Sequence, residues 1–430
     1  LWKMPDAITG SALLDELTWR GLLHQQTEGL AAHLAAGARS VYCGFDPTAP
    51  SLHIGNLVPA MVLVHLARAG HRCVALVGGG TAMIGDPSGR SAERPLLDTT
   101  EIDRHAERIG EQLNRVFVAA GTAGVLLANN ATWLREARML EFLRDVGKHF
   151  SVNYMLAKDS VQSRLEGGIS YTEFSYMLLQ AYDFLELHRR KGITVQVGGS
   201  DQWGNLTAGV ELLRRSAGAE AHALTAPLVT TSSGKKFGKS EGGAVWLDAA
   251  MTSPYKFYQF WINTEDADVG RYLRMFTFSA RADIEAIEAG HATAPHERRA
   301  QRALARAVTG MLHGDEATSV VEDASRVVFD KKADPASISD EVYATLAREI
   351  PSARVAGTAG LPVLDVLEQA FGQSRSAGRK LLQQGAVSVN GTKLGADDVS
   401  VAAGQAVRGR WFLVRKGGRD VAVAELISSA

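Results

Sequence analysis

Two short apolar runs, SVYCGF at 40–45 and CVALVG at 73–78, bracket a helical pattern from about Asn56 to Ala69. Each run is too short for a helix of its own and ends in turn-forming residues, DPTAP after the first and GGGT after the second. Strand, helix and strand at this spacing fold into a right-handed βαβ unit with a parallel sheet. That one unit restricts where chemistry can sit, because parallel α/β sheets bind ligands outside the carboxyl ends of their strands.

The pattern continues downstream. VLLA at 125–128 and TVQVGG at 194–199 read as further strands, and helices are expected near 101–117, 139–147, 172–187 and 203–217. PLVTT (227–231) and VWL (245–247) bracket a loop rich in Gly and Lys. From Ser253 to about Phe329 the sequence reads helical throughout, and DKKADPASISDE with the Ala/Gly run near 353–360 reads as linker. The expected organisation is therefore a Rossmann-like α/β catalytic domain over 1–252, an α-helical domain over 253–330, a linker over 331–360, and a small α+β module over 361–430.

Bulk chemistry narrows the partners. With 430 residues and a formal net charge of -1, no global field attracts nucleic acid, so any such contact needs a local patch. Cys43 and Cys73, the only cysteines, lack metal-ligand spacing and form no disulfide framework, which favours a reducing, cytoplasmic location. The run VPAMVLVHLA at 58–67 is too short to span a bilayer, and LWKMPDAITG lacks the apolar core of a secretory signal.

Five stretches carry candidate chemistry. In SLHIGN (51–56), Asn56 can cap the following helix. The same residues also suit a phosphate site: a helix N-terminus offers N–H groups to an anion, His53 adds a donor, and Gly55 leaves room for a flat base. In SSGKKFGKSEGG (232–243), Lys236 and Lys239 stand three apart in a Gly-flanked loop, either a solvated turn or a cationic lid for a polyphosphate. In FSYMLLQAYDF (174–184), Tyr176, Gln180 and Asp183 share one face of an otherwise apolar helix, as a pocket for a small polar ligand requires. In QVGGSDQWGN (196–205), glycines end a strand and Asp201 follows, as an N-cap or as an acceptor for a ribose hydroxyl. In GDPSGR (85–90), Asp86 lies past the second strand, placed to meet an ammonium group.

HIGN and KFGKS resemble the HIGH and KMSKS signatures of class I aminoacyl-tRNA synthetases. Together with YCGFDPT, GDPSG, FSYMLLQAYDF and GGSDQWGN, they make the chain similar to bacterial-type tyrosyl-tRNA synthetases from about residue 9 to 428. The resemblance implies that Tyr42 and Asp183 bind the phenolic hydroxyl of tyrosine, and that Asp86, Tyr176 and Gln180 take its ammonium group, with Gln196 nearby. It places Cys43, Gly44, Gly55, Gly199 and Asp201 on the adenosine, and Asp46, Thr48, His53 and Asn56 along the ATP side. Lys236 and Lys239 would hold the pyrophosphate in the transition state, with Arg90 and Arg94 in another mobile loop. Asn56 replaces the last histidine of HIGH but remains a polar donor, and KFGKS keeps both lysines. Magnesium would arrive with ATP, and no dedicated protein metal site is expected.

SRSAGRKLLQQGAVSVNGTKL resembles an S4 RNA-binding domain. Arg375, Arg379, Lys380, Lys393, Arg408, Arg410, Arg415, Lys416 and Arg419 lie there, opposed between 372 and 419 only by Asp397 and Asp398. That excess suits phosphate contacts. The resemblance implies tyrosine–tRNA ligation by a homodimer, with tRNA, tyrosine and ATP as partners. A nucleotidylyltransferase of small-molecule metabolism shares HxGH and the sheet, but needs neither the S4-like module nor the Tyr42–Asp183 pair. A non-catalytic RNA-binding paralogue needs neither His53 nor the lysines.

Overall fold

The computed structural model describes residues 10–88, 97–234, 237–240, 243–330, 333–356 and 360–427, with the backbone alone at Lys239 and Ser240. Its main sheet has six strands: β1 (Gln25–Gln26), β2 (Ser40–Phe45), β3 (Arg72–Val77), β4 (Leu126–Asn129), β5 (Ile193–Gly199) and β6 (His222–Ala226). Their order is β1-β6-β5-β2-β3-β4, all neighbours parallel except β1, which runs antiparallel to β6. From β2 the chain builds outward through β3 and β4, then returns to place β5 and β6 on the other side. The carboxyl ends of β2 and β5 therefore border a topological switch point, where a crevice opens.

Residues of β2, β3 and β5 are buried almost throughout, as expected for parallel strands covered on both faces. The connecting helix Leu57–Arg68 is buried over most of its surface, from Leu57 and Val58 through Ala60 to Leu66. A helix apolar all round belongs inside a layered fold, and here it backs the sheet. On another side, the helices Tyr171–Lys191 and Trp203–Ala217 pack Phe184, Leu185, Leu187, Leu212 and Leu213 against Tyr42, Val74 and Leu76.

The helical stretch after 253 comprises Pro254–Ile262, Asp266–Phe276, Arg281–Thr293 and Arg299–Phe329, the last broken at Gly314 (φ 84°, ψ 165°). Compact units do not follow the expected 253–330 domain: residues 1–252 and 262–312 form one, and 253–261 with 313–430 form the other. The second unit holds a five-stranded sheet ordered Thr392–Lys393, Val387–Val389, Trp411–Lys416, Asp420–Ile427, Ser352–Ala356.

Of the stretch 331–360, expected as a linker, the described residues 333–356 are a structured part of that unit. Ser339 caps a helix over Asp340–Glu349 by accepting from the Val342 N–H, and Val342, Tyr343 and Leu346 are its buried face. Tyr343 stacks on Trp411 with centroids 5.8 Å apart, and the Trp411 indole donates to Asp340 at 2.6 Å. Ser352–Ala356 then adds a parallel edge strand. Flanking Pro, Ala and Gly residues hide these short elements from a compositional reading.

The basic residues of this unit divide by use. Arg415 donates to the Val327, Val328 and Asp330 carbonyls, Arg408 to that of Ile338, Arg410 pairs with Glu425, and Lys416 pairs with Asp420. These groups hold the unit together. Arg379, Lys380, Lys393 and Arg419 are exposed, and exposed Arg375 is paired with Asp365 at 2.5 Å.

Candidate active site

A cavity of about 870 Å³ opens at the carboxyl ends of β2, β3, β5 and β6. Its wall includes Tyr42, Cys43, Gly44, Asp46, Thr48, His53, Gly55, Asn56, Asp86, Tyr176, Gln180, Asp183, Gln196, Gly199 and Asp201. Every residue singled out above for tyrosine or ATP, the two lysines aside, thus faces one space. Lys236, Arg90 and Arg94 lie outside the described residues, as does the Lys239 side chain.

Asp183 forms the floor. The carboxyl is 2% exposed, and burial raises its pKa to about 8 against the opposing pull of two N–H donors. Those donors are the Trp133 indole on Oδ1 at 2.7 Å and the Asn130 amide on Oδ2 at 2.8 Å. Asn130 also accepts from the Gly80 N–H at 2.7 Å and donates to Thr81 Oγ1 at 2.9 Å. Thr81 in turn donates to Asp46 Oδ1 at 2.8 Å, and the Tyr176 hydroxyl donates to Asp46 Oδ2 at 2.7 Å. A continuous chain of bonds thus joins Asp183 to Tyr176 through Asn130, Thr81 and Asp46. Asp46, expected on the ATP side, is the acceptor that orients Tyr176.

Gly78 makes room for this chain, and Gly79 and Gly80 make room for its neighbours. A Cβ on Gly78 would lie 1.9 Å from Asp46 Oδ1 and 2.5 Å from Thr81 Oγ1; on Gly79 it would meet Asn129, and on Gly80 Leu134. Across the cavity, Asp86 accepts from the Ser88 N–H at 3.0 Å and the Gln202 amide at 2.6 Å.

Some buried polar atoms on this wall have no hydrogen-bond partner among the described residues: the Tyr42 hydroxyl, Gln180 Oε1 and Gln196 Oε1. Burial raises the pKa of Tyr42 well above its ordinary value, and the Asp183 carboxyl adds to the effect, so its O–H remains available as a donor. Unsatisfied buried groups cost about 1–3 kcal/mol each, so their cluster marks where a polar ligand is received.

The HIGN stretch is both a cap and a wall of the cavity. His53 Nδ1 accepts from the Gly55 N–H at 3.1 Å while Asn56 Oδ1 accepts from the His53 N–H at 3.0 Å, a reciprocal capping box. With Nδ1 accepting, the neutral ring carries its proton on Nε2. A Cβ on Gly55 would sit 2.8 Å from His53 Cε1, so this glycine is required first by the imidazole. Asp201 does not cap the helix Trp203–Ala217, whose cap position is Gln202; the Asp201 carboxylate fills the space a Gly199 Cβ would take, at 2.5 Å.

The two signature stretches are neighbours. Ile54 N–H donates to the Val245 carbonyl at 3.0 Å, Leu247 N–H to Leu52 at 2.8 Å, and Val245 N–H to Gly238 at 2.9 Å. Gly238 (φ +83°) packs so closely that a Cβ would lie 3.1 Å from Ile54. The Lys239–Ser240 backbone pairs with Gly243–Ala244 as a short antiparallel ribbon. Some 180 residues from HIGN in sequence, Phe237 of KFGKS shares this corner of the cavity.

Comparison with known proteins accounts for nearly all of the chain. Residues 35–330 match the family model of tRNA synthetases class I (W and Y), and residues 342–423 match the SYY-like C-terminal domain of tyrosine–tRNA ligase. The chain belongs to the tyrosyl branch of the class I tRNA synthetases. This synthetase is 51% identical over 417 residues to the tyrosine–tRNA ligase of Anaeromyxobacter dehalogenans (strain 2CP-1), covering 96% of this chain and 99% of the relative. It is 47% identical over 421 residues to that of Mycobacterium tuberculosis, covering 96% and 99%. A C-terminally truncated mitochondrial tyrosyl-tRNA synthetase of Aspergillus nidulans superposes with a TM-score of 0.68 at 32% identity, over 74% of this chain and 94% of that one.

Asn130, Thr81, Trp133 and Gln202 are the site residues of this synthetase that sequence reasoning missed. Asn129 and Asn130 stand directly at the carboxyl end of β4, a position at which paired amides invite suspicion. Trp133 gave no such signal, since an indole in a short helix reads as core.

Proposed function

We propose that this synthetase activates tyrosine with Mg-ATP in the cavity and passes the tyrosyl group to tRNA. The observation that carries this reading is the buried, unpartnered Tyr42 hydroxyl beside the buried Asp183 carboxyl. A substrate phenol donates to Asp183 and accepts from Tyr42. The ammonium group meets Asp86 and the lone pairs of Tyr176, whose proton is committed to Asp46. Gln180 and Gln196 offer their unpartnered oxygens as further acceptors.

The tyrosine carboxylate oxygen attacks the α-phosphorus, the bond to the bridging oxygen breaks, and pyrophosphate leaves. A terminal ribose hydroxyl of the tRNA then attacks the acyl carbon, releasing AMP. No side chain forms a covalent bond. His53 Nε2–H, Asn56, Thr48, Lys236 and Lys239 stabilise the charge of the in-line displacement. Cys43, Gly44, Gly55, Gly199 and Asp201 receive the adenosine, with Asp201 on the ribose and the buried Cys43 thiol held protonated by burial. Exposed Arg379, Lys380 and Lys393, with Arg375, meet tRNA phosphates.

Assembly as a homodimer has its own support. Leu126 (53% exposed), Leu127, Met139 (72%), Leu140 (76%), Leu143 and Val152 cluster in sequence around β4, the outer strand of the sheet. Exposed apolar groups at this density mark an interface. Among the described residues no helix is long and apolar enough to cross a membrane, and we place the protein in the cytoplasm.

The test is ATP–pyrophosphate exchange with and without tyrosine, followed by aminoacylation. Exchange that ignores tyrosine indicates a nucleotidylyltransferase, and RNA binding without exchange indicates a non-catalytic paralogue. Exchange that depends on tyrosine, followed by charging of tRNA, is the expected result.

A further inference from the structure

At the opposite end of the sheet from the cavity, three metal-binding side chains converge. One nitrogen each from His33 and His222 and a carboxylate oxygen of Glu220 lie within 4.8 Å of one another. His33 comes from the helix Leu30–Ala35, His222 opens β6, and Glu220 stands in the turn before it. Since β6 runs to Ala226 on the cavity wall, the cluster sits roughly 13 Å from it at about 3.3 Å per residue.

The arrangement is built rather than incidental. His222 is 3% exposed, yet its Nε2 has no satisfied hydrogen bond among the described residues. Glu220 Oε1 stands 3.3 Å away, and the contact does not meet hydrogen-bond geometry. The other nitrogen, Nδ1, faces Thr27 Oγ1 at 3.3 Å, an outer contact of the kind that orients a ligating imidazole. His33 Nε2 meets Thr194 Oγ1 at 2.8 Å, and a ligand bond through Nδ1 leaves that contact intact. The two rings approach to 4.6 Å between centroids. Gly29 (φ +81°) permits this approach, since a Cβ there would press on His222 Cε1 at 3.2 Å.

The geometry points to a divalent transition-metal site of the Zn²⁺ class, made by His33, Glu220 and His222 with water in the fourth position. Two imidazoles and one carboxylate select zinc-like ions over Mg²⁺ or Ca²⁺, which prefer all-oxygen shells. Zinc–nitrogen bonds of about 2.0–2.1 Å call for nitrogens closer than the present spacing, and the 75% exposed Glu220 side chain can swing to complete the set. Such an ion would clamp the helix Leu30–Ala35 to the first residue of β6, a staple unrelated to the chemistry at the other end. Its ligands lie about 190 residues apart in sequence, so local spacing carries no sign of them.

The experiment uses the full chain, stripped with a chelator and titrated with Co²⁺ and then Zn²⁺. One ion per chain is expected, with the visible absorption of a four-coordinate Co²⁺ centre that Zn²⁺ bleaches, and a higher thermal midpoint. Tyrosine-dependent pyrophosphate exchange should not change on loading. Outer partners alone commonly cost about 10–100-fold in metal affinity, so His33→Gln and Glu220→Gln should each lose at least about tenfold. Both residues lie nearer the surface than His222, so these variants remain informative even where His222→Gln does not fold. A wild-type chain with no saturable Co²⁺ spectrum overturns the proposal, as does equal Zn²⁺ affinity in wild type, His33→Gln and Glu220→Gln.

Discussion

Replacing Asp183 by asparagine tests which force governs the floor of the pocket. Two N–H donors favour the ionised carboxylate and burial favours the neutral acid; burial prevails, raising the pKa to about 8. An unfolded Asp titrates near 3.9. Between those values the folded chain holds a proton that the unfolded chain has released. This group's contribution to stability is therefore complete below pH 3.9 and is lost as the pH rises towards about 8. The slope across the window is about -1.4 kcal/mol per pH unit, or roughly 3 kcal/mol between pH 5 and 7. The amide of the Asp183→Asn variant does not titrate. It does turn an N–H towards either Trp133 or Asn130, a donor facing a donor, but that penalty is independent of pH. Urea unfolding of both proteins at pH 5, 6, 7 and 8 gives the difference curve, in which other titrating groups cancel. Wild type should lose ground to the variant by about 3 kcal/mol between pH 5 and 7, then level off above pH 8. A difference constant from pH 5 to 8 would refute the reasoning and show that the two N–H donors outweigh burial.

Other perturbations follow from the same geometry. Gly78→Ala should weaken tyrosine binding by tenfold or more and also lower the thermal midpoint by several degrees, because its Cβ displaces Asp46 from bonds to a charged acceptor worth about 1.5–3 kcal/mol each; equilibrium dialysis and a melting curve check this. Lys236→Ala or Lys239→Ala should slow single-turnover adenylation by an amount equivalent to about 3 kcal/mol while leaving tyrosine affinity nearly intact, and equal losses in both would count against the lid. Tyr42→Phe should lose part of the tyrosine-over-phenylalanine ratio in kcat/KM, because Asp183 remains as acceptor. Removing residues 331–430 should leave pyrophosphate exchange and end tRNA charging, whereas a cut at 361 strands Ser352–Ala356 without its sheet and should aggregate, as gel filtration will show.

Strands β2 to β5 were legible because parallel strands here are short, apolar and cut by glycine, whereas β1 (Gln25–Gln26) and β6 (His222–Ala226) went unread. SVYCGF is β2 to the residue, and the helix expected at 203–217 has those bounds. The cavity wall was legible because its residues cluster at strand ends. What escaped the sequence depends on three-dimensional register. Asn130 reaches Asp183 only because β4 lies beside β3, and Asp46 serves Tyr176 only across the crevice. In the C-terminal unit, a count of basic residues could not separate exposed Lys380 from Arg415, whose guanidinium is spent on backbone carbonyls. The helix at 340–349 was lost among flanking Pro, Ala and Gly, although Val342, Tyr343 and Leu346 have helical spacing.

The bonded path from Asp183 through Asn130, Thr81 and Asp46 to Tyr176 has a consequence for how such a pocket can change. In the proposed binding mode its two ends grip opposite ends of one amino acid, and no link exceeds 2.9 Å, so the path would act as a ruler that gauges side-chain length. A substitution meant to admit a different para substituent loosens Asn130 and, through it, the grip on the ammonium group that every amino acid shares. Altered specificity at the phenol end is therefore tied to general affinity. Effects at 183, 130 and 81 should be strongly non-additive, and adaptation to a new substrate should proceed through joint changes at these positions rather than through Asp183 alone.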